Sequence, residues 1–209
     1  MIRGLVFALA MAGAAQAEET PMRAQEQTRL DEFQASAGKA LLQALSAGSL
    51  GDVDLLQEAM SGVPLAPLAT TLAGEWDCRT IKLGGLTPLT VYAPFKCAFA
   101  PDGTAFTFEK FTGSQRTQGR VTMQGRTMVY LGVGYIADEE PMDYAALPAE
   151  SFGDGSYQPQ VGIVEQTGPT AARIMFPDPV TESDFDVLYL TRPALADAQE
   201  IEAVAPANQ

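Results

Sequence analysis

The chain has 209 residues and not one histidine, and only two of its residues are cysteine. Without histidine there is no Ser-His-Asp triad, no Cys-His dyad and no imidazole metal ligand or proton shuttle. Two cysteines cannot build a four-thiolate zinc or iron–sulfur site. Cations are scarce too: 13 Lys plus Arg stand against 26 Asp plus Glu, for a formal charge of −13. That balance argues against nucleic acid, whose binding rests on Lys and Arg meeting phosphates, and against anionic membrane surfaces. Beyond the N-terminus, no run approaches the roughly 20 apolar residues of a transmembrane helix.

What is present begins with an export signal. Arg3 supplies a positive start, Gly4 to Ala15 is a short apolar run, and Ala15-Gln16-Ala17 fits the small-x-small cleavage rule. Residues 1–17 read as a signal peptide, so the expected location is periplasmic or secreted, with no stable membrane insertion after cleavage. Export changes the reading of Cys78 and Cys97. In an oxidising compartment two cysteines pair, and a separation of 19 positions suits neighbouring strands. Closing a loop of about 20 residues contributes roughly 3 kcal/mol in the chain-entropy model. The alternative is a reactive thiol pair, for which neither a CxxC motif nor a histidine is available.

The mature chain divides by pattern. Residues 18–28 are polar and acidic, as a flexible lead is. Residues 29–65 form a helical segment. In it Leu30, Phe33, Ala37, Leu41 and Leu45 recur at helical spacing, and Gly48 is a stop. A second helix fits Val53 to Met60, capped by Ser49 or Asp52 and ended by Gly62. The two are expected to pack as a hairpin on the domain that follows. Residues 66–192 switch to period two, with strand-like runs at 72–82, 89–99, 104–112, 115–123, 126–136, 160–167, 171–176 and 184–192. Residues 137–159 make one long connection, and residues 193–209 read as a flexible tail.

Short turns between most runs imply sequential antiparallel neighbours. The expected fold is mainly β: a small eight-stranded antiparallel barrel, lipocalin-like, with the helical hairpin in front of it. Closure removes exposed edges, and a β-sandwich is the alternative. Val91, Phe95, Cys97 and Phe99 share one face of their run, and Trp76, Cys78 and Thr80 one face of theirs. Phe106 and Phe108 continue this interior, as do Val129, Leu131 and Val133. The run 184–192 is apolar on both sides, so the helices are expected to cover one of them.

Gly74-Glu75-Trp76 opens the first strand and Thr191-Arg192 closes the last. This resembles the lipocalin and calycin arrangement, in which an early Trp is packed by a late Arg at the closed barrel end. The resemblance implies an architectural role for Trp76 and Arg192, with cation–π stacking as its physical basis. Lipocalins usually carry their helix after the barrel, and a lone core Trp is the alternative. A wider resemblance lies in Leu72-Ala-Gly-Glu-Trp-Asp-Cys-Arg-Thr-Ile-Lys-Leu-Gly-Gly-Leu-Thr-Pro-Leu, Phe108-Glu-Lys-Phe-Thr-Gly-Ser-Gln-Arg-Thr-Gln-Gly-Arg, Val129-Tyr-Leu-Gly-Val-Gly and Asp186-Val-Leu-Tyr-Leu. These runs resemble a family of exported alphaproteobacterial proteins catalogued as domain of unknown function 4893. The resemblance spans 70–192, and it implies an exported β-rich domain and no activity.

The same segments hold a concentration of polar groups. Arg79 and Lys82 flank the first hairpin, Lys110 is in phase with Phe106 and Phe108, and Gln115 and Arg116 follow the next turn. These five are the candidate site, lining a barrel mouth and holding an anionic group by charge-assisted hydrogen bonds. The bland alternative is salt bridging to Glu75, Asp77 and Glu109. Carboxylates at Asp138-Glu139-Glu140 could serve glycoside hydrolysis, and Ser36-Ala-Gly-Lys39 has the SxxK spacing without its companion motifs. Oxygen donors at Asp138, Glu139, Asp143 and Asp154 match no EF-hand. The expectation is therefore a non-enzymatic protein with no catalytic set, metal or cofactor. It binds a small apolar or anionic ligand, with the barrel interior or mouth as the site. The first alternative is a filled barrel that serves as an envelope protein-interaction or inhibitor module, and the least favoured is a carboxylate-based hydrolase.

Overall fold

A computed structural model describes residues 21–67, 70–149 and 155–193. The signal peptide and most of the tail lie outside these residues, as do Gly153 and Asp154. Three helices come first: α1 (Ala24–Asp31), α2 (Phe33–Ala47) and α3 (Leu50–Met60). Nine strands follow: β1 (Gly74–Leu83), β2 (Leu89–Val91), β3 (Phe95–Asp102), β4 (Ala105–Lys110), β5 (Gln115–Gln124), β6 (Thr127–Ile136), β7 (Tyr157–Gly168), β8 (Ala171–Pro177) and β9 (Phe185–Thr191). Each pairs antiparallel with its neighbour, and β1 also pairs with β9. The sheet therefore closes into an eight-stranded barrel with β2 as an extra strand, and it is not a sandwich.

The expected run 89–99 is two strands. Ala93-Pro94 breaks it, because proline has no N–H to give the ladder. β1 accordingly meets β3 along Gly74–Cys78 and β2 along Ile81–Leu83. The break also separates faces expected to coincide. Phe95, Cys97 and Phe99 point into the barrel, whereas Val91 packs with the helices outside.

The interior expectation fails for β6, whose Val129, Leu131 and Val133 all take the outward phase. Met128 and Tyr130 face inward, while Leu131 and Val133 lie outside beneath Tyr144 and Leu147. A 3-10 turn at Tyr144–Ala146, inside the long connection, provides that cover. With apolar residues on both faces, alternation could not choose the phase, and a one-residue slip exchanges every side chain. Gly132 has no room for a side chain inside, since a Cβ there would come within 2.2 Å of the Tyr130 hydroxyl.

The helices cover the outside of β1, β2, β8 and β9. Ile81, Leu83, Met175, Phe185 and Val187 form one buried cluster with Ala37, Ala40, Ala44, Leu56 and Ala59. The expected covering of one face of the last strand is thus realised. The expected helical stripe is realised in part: Phe33, Ala37 and Leu41 pack on this cluster, joined by Ala40 and Ala44, whereas Leu45 is 60% exposed. Alanine lets the helix axis approach the sheet closely. Ser49 caps α3 by accepting the Asp52 N–H at 3.2 Å. A third helix, α1, begins inside the stretch expected to be a flexible lead, and its Glu26 is fully buried.

Candidate functional site

One end of the barrel is filled. Trp76, Phe99, Phe108, Tyr130, Ile174 and Leu190 are all but inaccessible there, and the Cys78–Cys97 disulfide joins β1 to β3 among them. Phe108 stands edge-on to Tyr130 with ring centroids 5.6 Å apart. Beneath this plug the Arg192 guanidinium stacks on the Trp76 ring, 4.0 Å from its centroid. Arg192 also donates to the carbonyls of Thr71 (2.6 Å), Ala73 (3.0 Å) and Pro169 (3.0 Å), and Trp76 Nε1 donates to Leu72 O at 2.8 Å. The expected Trp76–Arg192 contact is therefore present.

The opposite end carries a cavity of about 220 Å³ with mixed polar and apolar walls. Four of the five candidate residues line it: Lys82, Lys110, Gln115 and Arg116. Arg79 does not. Its position on β1 is out of phase with Thr80 and Lys82, and its Nη1 instead donates to Tyr92 O at 2.7 Å.

Lys110 is the most buried of the cavity's cations, 6% exposed at the end of β4 and in phase with Phe108. Its ammonium lies 3.9 Å over the Phe95 ring and donates to the carbonyls of Thr112 and Gln115. Burial, with repulsion from Arg116 and Lys82, brings its pKa down to about 8. The chain has four lysines. Lys39 pairs with Asp184, Lys82 with Glu182 and Lys96 with Asp77, whereas Lys110 has no carboxylate partner among the described residues.

Two carboxylates reach the same cavity. Lys82 Nζ lies 2.6 Å from Glu182 Oε2 and 3.9 Å from Asp186 Oδ2. Burial opposes the Lys82 charge, but Asp186 and Glu182 outweigh it and its pKa rises. Burial pushes Asp186 up to about 6, despite Lys82 and a 2.6 Å hydrogen bond from Ser183. On the far wall the Tyr130 hydroxyl donates to Thr117 Oγ1 at 2.5 Å, and Thr117 donates to Gln160 Oε1 at 2.6 Å.

Sequence reasoning missed Glu182, Asp186, Thr117 and Gln160. Asp186 was within reach, since it lies two residues before Leu188 on the inward face of β9. The other motifs resolve differently. Ser36 Oγ donates to Asp184 O at 2.6 Å and Lys39 pairs with the Asp184 carboxylate, so the SxxK residues clasp a loop. Glu139 meets the Tyr157 hydroxyl on the outer side, away from the cavity. Among the described residues no His, Cys, Asp or Glu group has the make-up to hold a metal ion. No described helix is long and apolar enough to cross a membrane.

Fold and site together define a closed antiparallel β-barrel with one end plugged and a charged cavity at the other. The chain belongs to the family described as Domain of unknown function (DUF4893), whose model matches residues 19–190. No curated protein and no solved structure matches the chain.

Proposed function

We propose that this is an exported, non-enzymatic barrel protein that binds a small anionic ligand at the barrel mouth. The observation that carries the reading is Lys110. A buried ammonium that faces a cavity and has no carboxylate partner is costly to keep charged, and an anion in the cavity would offset that cost. Lys82 and Arg116 stand close enough to depress its pKa and would share the ligand. A volume near 220 Å³ is below the usual range of drug-sized pockets and suits a ligand of few heavy atoms. The disulfide supports an oxidising compartment, in agreement with the signal-like residues 1–17.

Thermal shift at constant ionic strength tests the reading. Small carboxylates and inorganic phosphate should raise the midpoint of the wild type and leave Lys110→Met unmoved. Equal shifts in both proteins would overturn it. Carboxylate hydrolysis is the second reading. Hydrogen bonding from Lys82 holds Glu182 low while burial raises Asp186, and such a split is what acid–base pairs use. Lys82 stands between the two carboxylates and engages both, which favours binding over catalysis.

A further inference from the structure

Glu182 sits in the connection between β8 and β9 with φ of 75°, in the left-handed region where a side chain is disfavoured. The neighbouring chain holds it there. Leu86 N donates to its carbonyl at 2.9 Å, and a Cβ on Gly85 would come within 2.4 Å of that oxygen. Glycine would relax this backbone, yet the position carries a carboxylate, and the carboxylate spans the mouth. Oε2 accepts from Lys82 of β1 at 2.6 Å, and Oε1 lies 3.5 Å from the Gln115 amide of β5. One donor on each oxygen is how a protein receives a carboxylate.

We propose that the ligand is a small carboxylate with a short apolar tail, and that Glu182 is its built-in stand-in. On binding, the ligand's carboxylate takes over Lys82 and Gln115 while the Glu182 side chain swings outward. The inference rests on the binding reading above. Three features support exchange. The Glu182 side chain is 39% exposed, so its way out is open. Its contact with Gln115 is long and easily given up. It forms no hydrogen bond or ion pair with Lys110 or Arg116, which line the same cavity. Asp186, 3.9 Å from Lys82, disfavours a second negative charge, and Phe95, Phe176 and Leu188 line the apolar side for the tail.

The test is calorimetric titration of butyrate, butyramide and phosphate into wild type, Glu182→Gln and Lys110→Met at fixed ionic strength. Removing a competitor that occupies the site most of the time should tighten butyrate binding roughly three- to tenfold in Glu182→Gln. Butyramide should not bind, and phosphate should bind more weakly than butyrate. Butyrate binding in Glu182→Gln that equals or falls below wild type overturns the stand-in, while loss in Lys110→Met leaves the binding reading intact. Phosphate preferred over butyrate overturns the carboxylate class alone. No saturable binding of any probe to wild type or Glu182→Gln overturns both. If Lys110→Met does not fold, Lys82→Gln replaces it and should lose butyrate binding.

Discussion

The Arg192 guanidinium covers the Trp76 ring at 4.0 Å and binds three backbone carbonyls around it, so the last strand locks the segment that leads into the first. The two residues are 116 positions apart in sequence but adjacent at the barrel base, where β1 and β9 pair. Arg192→Ala removes a cation–π contact and leaves carbonyls to water, at a cost of about 1–2 kcal/mol. Arg192→Lys should recover little of this, because an ammonium cannot supply the planar fork. Trp76→Ala opens the plug and should cost roughly 3–5 kcal/mol. Urea unfolding of the three variants checks the order. An Arg192→Ala midpoint equal to wild type would remove the lock.

The disulfide should matter more for stability than for shape. Cys78 and Cys97 lie on adjacent strands that are already paired through Trp76 and Cys97, so the native register does not depend on the bond. Its contribution is to the unfolded chain, where closing a loop of about 20 residues is worth roughly 3 kcal/mol. A Cys78→Ala/Cys97→Ala variant should keep the far-ultraviolet circular dichroism of the wild type. Its midpoint should fall well below that of the oxidised protein and match that of the wild type under reductant. A variant with altered strand content would show that the bond instead directs pairing.

Much of this barrel is legible in the sequence because most of its strands are separated by short turns and most alternate cleanly. The cysteines, Phe108 and Lys110 could be placed inward on period alone. The misses within β6 and α2 share one cause, which is cover that comes from elsewhere in the chain. β6 is apolar on both sides because Tyr144 and Leu147 pack on its outer face, so its phase could not be read locally. On α2 the stripe of Phe33, Ala37 and Leu41 is legible from its spacing, but Leu45 is exposed, because close approach to the sheet turns Ala40 and Ala44 inward beside them. At the site, the cations from the 82–116 segment were visible as a cluster in a chain poor in cations. Glu182 was not, since its role depends on a turn that carries it across the mouth. Arg79 was included by proximity in sequence and fails by the parity of its strand.

Asp186 should make the fold less stable at neutral pH than it need be. Its pKa is raised from 3.8 to about 6, chiefly by burial. Between those values the folded state binds more protons than the unfolded one, so stability falls as pH rises through the window. Above about 6 the loss is complete, and below 3.8 it is absent. Asp186→Asn, which mimics the neutral acid, should therefore be more stable than wild type at pH 7, by about 2 kcal/mol. The gap should close on acidification. Denaturant melts at pH 4, 5, 6 and 7 measure this, and a variant less stable than wild type at pH 7 would show that the Lys82 pairing outweighs burial.

Lys110 should give the opposite slope at higher pH. Its pKa is lowered from 10.5 to about 8, first by burial and then by Arg116 and Lys82. Between about 8 and 10.5 the unfolded chain holds a proton that the folded chain has released. Stability therefore rises with pH across this window, and below about 8 the penalty on the charged form is fully present. Lys110→Met does not titrate, so the difference between wild type and variant isolates the effect. It should stay flat from pH 6 to 7.5 and then move in favour of wild type up to pH 10. A ligand anion supplies the missing counter-charge and should hold the amine protonated to higher pH. Saturating butyrate should therefore shift the onset upward in wild type and leave the variant unchanged. An onset that butyrate does not move would separate the Lys110 charge from the binding site and leave the ammonium as a clamp on the Thr112 and Gln115 carbonyls.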